Sequence, residues 1–538
     1  MGDGTPGVAG RQASGPRFDD AAAEDGEGNP GDQGGSSVRH IKSAALMAAA
    51  LLTLGGGALL TAPAAQAEVP FPSIGWQQRN CDFDGNGHDD VLIGAPGATV
   101  SGAKGAGYVT VQYSGPAGLS TTKRSVLSQS TSGVAGAAEA GDGFGRAVAT
   151  GDLDNDGYDD AIVGIPGEDL GALSDAGGAV VFWGSPTGLH GGDSFWLEDP
   201  DQPRAGANFG RALEAARYFA PDPSDPDANP RDSIAVLEND SLLFFTAEPG
   251  TAAAPRLRQA DRGVRALERM AQDTGLALRS LSHGNYNEDP WADLAISGVT
   301  TGDHPGVGVT QVLHGAPGVD DLADGGTFEG GPAVVSSDFN QDGQDDLAIG
   351  DTGTGSALGG SVSVYLGRGD LSGLNPTPAQ TWTQDSAGVP GVAEAGDRWG
   401  AELSSGDTNG DGHPDLAIGA PGEDIGSVAD AGAVWTLRGA RGGLTATGAR
   451  SFDQNTAGIP GAAEAADRWG GQIRLIDADK DGRFGLLAAA PGENTNDGFV
   501  WVVPASSSGL VAKGTWTYNG ATLGAPTGDA QFGAAIDE

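Results

Sequence analysis

What this chain is short of narrows its character first. It has a single cysteine, Cys81, so no internal disulfide can form, and stability has to come from packing and bound groups. Basic residues are scarce: 29 Lys+Arg stand against 72 Asp+Glu, a formal charge of -43, which argues against nucleic acid or an anionic bilayer as partner. No Gly-x-Ser-x-Gly elbow occurs, so ordinary nucleophilic hydrolysis has no visible centre. The seven histidines are scattered without a zinc-type spacing. One long apolar run, Ser43 to Leu60, is too rich in glycine and alanine to suit a lasting membrane anchor.

Against these absences stands a repeat. Seven times an acidic loop of the form Asp-x-Asp/Asn-x-Asp/Asn-Gly-x-x-Asp, or a decayed copy of it, runs into a short apolar strand. The clearest copies are Asp152 to Asp160 before Ala161-Ile162-Val163, and Asp407 to Asp415 before Leu416-Ala417-Ile418. Oxygen side chains at positions one, three, five and nine, a backbone carbonyl at seven and a glycine for the tight turn suit a hard, high-coordination cation, and calcium is the expected occupant. An EF-hand is excluded because no amphipathic helix flanks the loops and a strand begins directly after position nine. One acidic loop alone reads equally well as a solvated turn; several with the same ligand positions do not.

Spacing supplies the architecture. The loops open at Asp82, Asp152, Asn285, Asp338, Asp407 and Asp477. The interval of 133 between the second and third holds two units. In the hidden one, Phe209-Gly210-Arg211-Ala212 matches Phe144-Gly145-Arg146-Ala147, Asp232-Ser233-Ile234 aligns with Asp160-Ala161-Ile162, and an insertion from Pro221 to Pro230 replaces the loop. Each unit opens on an aromatic-glycine pair (Phe144-Gly145, Trp399-Gly400, Trp469-Gly470) and its second strand ends in Gly-x-Pro or a variant, as at Gly94-Ala95-Pro96 and Gly419-Ala420-Pro421. Seven units of about 67 residues predict an all-β, seven-bladed β-propeller with calcium-binding hairpin loops. The first unit lacks an aromatic-glycine strand, whereas Phe532-Gly533-Ala534-Ala535-Ile536 is spare at the C-terminus, so the ring is expected to close by sharing blade one between both ends.

The aromatic-glycine opening, acidic loop and Gly-Ala-Pro ending resemble the FG-GAP repeats of the integrin alpha-subunit head and of bacterial secreted proteins, over residues 75 to 538. The resemblance implies a calcium-bearing extracellular propeller, with metal on one face and ligand recognition on the other. Carried over residue by residue, it assigns four strong sites: Asp82, Asp84, Asn86 and Asp90; Asp152, Asp154, Asp156 and Asp160; Asp338, Asn340, Asp342 and Asp346; Asp407, Asn409, Asp411 and Asp415. The position-seven carbonyls belong to His88, Tyr158, Gln344 and His413. Unit seven offers Asp477, Asp479 and Asp481 but has Gly485 at position nine, and unit four offers Asn285, Asn287, Asp289 and Asp293 with Pro290 in place of the glycine. Up to six calcium ions follow; unit three is assigned none.

The expected domains are an extension over 1–37, a signal peptide over 38–67 and the propeller over 68–538. Basic Arg39 to Lys42, the apolar run and Ala65-Gln66-Ala67 give the signal-peptide pattern, with Glu68 as the mature start and Val38 as a candidate initiator. Two further features read as ordinary structure: Arg368-Gly369-Asp370 as a turn, and the basic stretch Arg256 to Arg269 as a short helix in a blade connection. The functional expectation is a secreted, calcium-stabilised module for binding or adhesion, not an enzyme. Its partner would be an unidentified extracellular protein or glycan, with no nucleic acid and no stable membrane span. The alternatives are a secreted hydrolase or carbohydrate-active enzyme, and a structural cell-envelope protein.

Overall fold

The computed structural model describes residues 81–219, 231–239, 241–247, 257–259, 276–301, 306–315, 322–352, 359–369 and 372–537. The extension, the signal segment, the 221–230 insertion, His304 and Asp370 lie outside them.

Second strands of the units are the most apolar, and they set the geometry. Every residue of Val91–Ala95, Asp160–Ile165 and Asp415–Ala420 is buried, because each strand is covered by a sheet on both faces. Around each forms a four-stranded antiparallel sheet, and there are seven, which make a β-propeller with almost no helix. Blade one joins Ala535–Ile536 to Val91–Ala95, Tyr108–Gln112 and Arg124–Leu127. Blade two is Val148–Gly151, Asp160–Ile165, Gly178–Phe182 and Phe195–Leu197; blade three is Ala212–Ala216, Ser233–Leu237, Leu242–Ala247 and Leu257–Gln259. Blade four is Leu276–Gly284, Asp293–Thr300, Gly308–His314 and Ala323–Glu329; blade five is Val334–Ser337, Asp346–Asp351, Ser361–Tyr365 and Gln380–Trp382. Blade six is Glu402–Gly406, Asp415–Ala420, Ala433–Arg438 and Thr445–Phe452; blade seven is Gln472–Ile476, Gly485–Ala490, Phe499–Val503 and Trp516–Tyr518.

The core is divided into packets between neighbouring blades. Phe144 sits with Phe83, Val109 and Phe182 between blades one and two, Trp399 between five and six, Trp469 between six and seven, and Phe532 between seven and one. Each such aromatic is fully buried and contributes about 1.5–3 kcal/mol. The glycine after it has a steric reason. A Cβ on Gly94 would stand 1.9 Å from the Gly145 carbonyl oxygen, and one on Gly350 1.9 Å from that of Gly400. The Gly-x-Pro turn of one blade, or Gly350-Asp351-Thr352 in its place, thus touches the aromatic-glycine opening of the next, backbone to backbone. Gly145 and Gly400 also hold φ of 84° and 91°, where a side chain is strained.

The ring closes as the sequence predicts. Ile93 pairs with Ile536 and Gly94 with Ala535. Beyond that strand, the fully buried Asp537 accepts hydrogen bonds from Leu92 N (3.0 Å) and Arg474 Nη1 (2.7 Å), and Arg474 Nη2 donates to Cys81 Sγ at 3.2 Å. Cys81 is buried, and burial pushes its thiol well up.

Blade interfaces carry a second polar device that the sequence reading missed. Gln129 Nε2 donates to Glu168 Oε2 (2.7 Å), Gln384 to Glu423 (2.8 Å) and Gln454 to Glu493 (2.6 Å), each glutamine leaving the outer strand of one blade and each glutamate following the Gly-x-Pro or Ala-x-Pro turn of the next. A constant spacing of 39 residues was the available signal. Burial pushes all three glutamates up to about 7, with nearby carboxylates adding to it.

Two expectations need correction. Ser233, not Asp232, pairs with the end of its blade's first strand as Asp160 does, so Asp232 corresponds to Asp159 at position eight. Leu257–Gln259 is the outer strand of blade three and not helix; the rest of the basic stretch lies outside the described residues.

Candidate metal centre

The acidic loops lead into the second strand of their blades, so the ring carries them together on one rim. Loops one, two, five, six and seven are folded by their own position-one side chains, whereas in loop four Asn285 Nδ2 donates to the Asp289 carbonyl at 2.8 Å. Asp82 Oδ1 accepts from Asn86 N (3.0 Å) and Oδ2 from Gly87 N (2.6 Å); Asp338 and Asp477 accept from the same two positions of their loops. Position three accepts the position-five amide, as Asp154 does from Asp156 N at 3.2 Å, and position five accepts the position-seven amide, as Asp156 does from Tyr158 N at 3.0 Å. These Asx turns aim the side-chain oxygens inward.

Three loops gather carboxylates tightly. Oxygens of Asp82, Asp84 and Asp90, of Asp152, Asp154 and Asp156, and of Asp477, Asp479 and Asp481 each fall within 4.8 Å of one another. Such an all-oxygen set suits a hard divalent cation. Burial pushes Asp90 up to about 8, and Asp152 and Asp154 to about 6, with neighbouring carboxylates adding to burial. Partly desolvated anions this close in loops one and two call for a counter-charge, and the donor set therefore fits a divalent ion. In loop seven Asp479 and Asp481 are exposed, and Arg483 Nη1 pairs with Asp481 Oδ2 at 2.9 Å. Loops five and six present mixed sets: Asn340 Nδ2 donates to Asp342 Oδ2 (3.0 Å), and Asn409 Nδ2 to Asp411 Oδ2 (2.9 Å).

Position nine serves as a pin. Asp90 Oδ1 accepts from Ser114 N and Oδ2 from Phe83 N, tying the loop to the end of the third strand, and Asp160 repeats this with Gly184 and Leu153. Asp346 Oδ1 accepts from Gly367 N while its Oδ2 is buried without a partner, an orphan that a cation would satisfy. Asp415 is committed further, with Oδ2 against Arg438 Nη1 at 2.7 Å. In unit four, Asp293 pairs with His314 Nδ1 at 3.0 Å, and Asn287 and Asp289 hydrogen-bond each other.

Positions seven and eight stitch loop to loop, which the sequence reading did not anticipate. Asp159 Oδ2 accepts from Asp82 N (2.9 Å), Asp232 from Asp152 N (3.0 Å) and Asp345 from Asn285 N (2.8 Å), each a position-eight carboxylate on the position-one amide of the preceding blade. Tyr158 lies over Gly85 of loop one, and His88 Nδ1 bonds the Ala478 carbonyl of loop seven at 3.1 Å. Loop one also receives a protein cation, for Lys123 Nζ contacts Asp84 Oδ2 and stands 5.0 Å over the Tyr113 ring.

A family model described as FG-GAP repeat matches residues 79–111, 144–183 and 399–437. Over 120 residues, 22% of this chain, the sequence is 32% identical to the phosphatidylinositol-glycan-specific phospholipase D of Rattus norvegicus, of which 14% is covered. Over 183 residues, 33% of this chain, it is 33% identical to integrin alpha-IIb of Homo sapiens, of which 16% is covered. The chain thus spans about a sixth or less of the length of these relatives. Among solved structures, a variant of Aleuria aurantia lectin in complex with alpha-methyl-L-fucoside matches with a TM-score of 0.33 and 12% identity, over 71% of this chain and 95% of that one.

Proposed function

We propose that this chain, an FG-GAP-repeat β-propeller protein related to the integrin alpha subunit, is a secreted, calcium-stabilised module that binds an extracellular protein or glycan. The observation that carries the calcium reading is the convergence of carboxylate oxygens within 4.8 Å in loops one, two and seven. Asp82, Asp84 and Asp90, Asp152, Asp154 and Asp156, and Asp477, Asp479 and Asp481 would hold the ions, with loops five and six completing the rim. The ion neutralises the crowded carboxylates and fixes the loops. The residues then act structurally, stitching each loop to its neighbour through positions seven and eight. With the loops so committed, ligand recognition falls to the opposite rim, where the Gly-x-Pro turns and inter-blade connections lie.

The phospholipase relative shares only 14% of its length with this chain, so its activity is not carried over. The reading is tested on protein and glycan arrays probed with and without calcium. A calcium-dependent set of bound ligands is expected. Uniform absence of binding, with calcium-dependent melting intact, would leave a structural role in its place.

A further inference from the structure

The first strands of all seven blades line an axial cavity of about 330 Å3, at the end where those strands begin and therefore on the rim opposite the acidic loops. Three consecutive blades place an arginine in its wall: Arg146 from blade two, Arg211 from blade three and Arg279 from blade four. Blades six and seven contribute Glu402 and Gln472, hydrogen-bonded at 3.0 Å. We propose that this cavity is a binding site for a small oxyanion-bearing ligand, a carboxylate or sulfate group on a unit of about monosaccharide size.

Charge makes the argument. In a chain of -43, three of only 29 basic residues line one cavity. Among the described residues, none of the three forms an ion pair; Arg211 Nη1 donates to the Asn239 side-chain oxygen at 3.2 Å, and Arg146 and Arg279 are exposed. Arg211 and Arg279 stand near enough that burial first, and then the charge of Arg279, pull the Arg211 guanidinium down. The same wall holds two carboxylates, Glu214 and Glu402, but Glu214 Oε1 is taken up by His283 Nδ1 at 2.8 Å and Glu402 by Gln472. Among the described residues neither pairs with the arginines, whose mutual repulsion is offset when an anion enters between them. Guanidinium forks match carboxylate and tetrahedral oxyanions in paired hydrogen bonds. The volume lies at the small end of ligand sites, which range over roughly 300–1,000 Å3, and so favours a compact ligand over a polymer chain.

This deepens the binding reading above and rests on it for the ring having a ligand at all. The test is calorimetric titration of the calcium-loaded protein with sodium sulfate, with glucuronate, and with glucose as the neutral control. Sulfate and glucuronate are expected to bind and glucose not to; sulfate binding without glucuronate would assign the free oxyanion as ligand, and the reverse an acidic sugar. R146Q/R279Q changes only exposed side chains, and a loss of affinity of about tenfold or more, with melting unchanged, is expected. No binding of either anion at millimolar concentration, or equal binding to the variant, overturns the proposal. Failure of the broader reading would appear instead on the arrays, while the titration stood.

Discussion

Blades three and four differ from the rest of the ring in their acidic loops and not in their sheets. Both have four antiparallel strands in sequence order, as every other blade has except blade one, whose first strand comes from the C-terminus. Yet Arg217 occupies the place of a position-one aspartate, its carbonyl accepting from Ala292 N as that of Asp82 accepts from Asp159 N. The charge of Arg217 holds down the neighbouring Asp232, which burial would otherwise raise further. In blade four, His314 takes up Asp293. Tyr218, Phe219 and Phe244 fill the space between these blades with edge-on aromatic contacts. A blade therefore needs its strand pairing and its inter-blade packet, and can dispense with a complete acidic loop where a side-chain cation takes up the remaining carboxylate.

The largest effect tests the seam of the intact arc. Deleting the residues after Asp529 removes Phe532, the closing strand and Asp537, and strands Arg474 in the interior. Loss of that buried partner alone costs about 3–5 kcal/mol. Chemical denaturation should show a cooperative loss of at least that size; a truncated ring that melts with the full chain would refute closure.

Chelation comes next. At an extracellular affinity of about 0.1–1 mM and tenfold excess, each calcium would add about 1.4 kcal/mol, and four on the order of 6 kcal/mol, comparable with the whole margin of a domain. Excess EDTA should lower the melting temperature sharply. Hydrogen exchange should rise first in blades one, two, five, six and seven and last in three and four. An unchanged melt breaks the comparison, and a uniform rise would mean that the loops stabilise the ring as a whole.

Single loops sharpen it. D154N/D156N should remove about one site, hence about 1.4 kcal/mol of calcium-dependent stabilisation. D293N in blade four should leave the calcium-dependent shift unaltered while costing some basal stability through His314. Equal calcium effects in both variants would show that the decayed loop still binds. In loop one, K123M frees Asp84, and calcium affinity there, read by titration, should rise several-fold; no change would mean that Lys123 swings aside without cost.

Much of this was legible because it repeats locally. The aromatic-glycine pair, the acidic loop and Gly-x-Pro recur in short windows, and the steric demand at Gly94 and Gly145 explains why both glycines belong to the repeat. Contacts between units were not legible. The bond of Asp159 to Asp82 N joins residues 77 apart, and Asp232 looked like position nine because the intervening insertion removes the register that a complete loop supplies. The axial arginines come from three units and adjoin only once the ring has formed.

The glutamine–glutamate pairs give the smallest effect and separate the arcs without metal chemistry. They join blades one to two, five to six and six to seven, and among the described residues none joins two to three, three to four, four to five or seven to one. Glu168 faces Asp142, Glu139 and Asp169; Glu423 faces Asp397, Glu394 and Asp424; Glu493 faces Asp467 and Glu464. Burial, reinforced by these carboxylates, raises the glutamates to about 7, so the folded state holds protons that the unfolded chain releases near 4.3. The sign follows: their contribution is fully present below the unfolded value and is lost as pH rises through about 7, so acidification from pH 8 toward pH 5 should raise stability. E168Q/E423Q/E493Q, which keeps the hydrogen-bonding shape and removes the titration, should flatten that part of the pH profile at fixed calcium. A variant with the wild-type slope would place the protons elsewhere, and the pairs would then be plain hydrogen bonds that distinguish the regular arc by geometry alone.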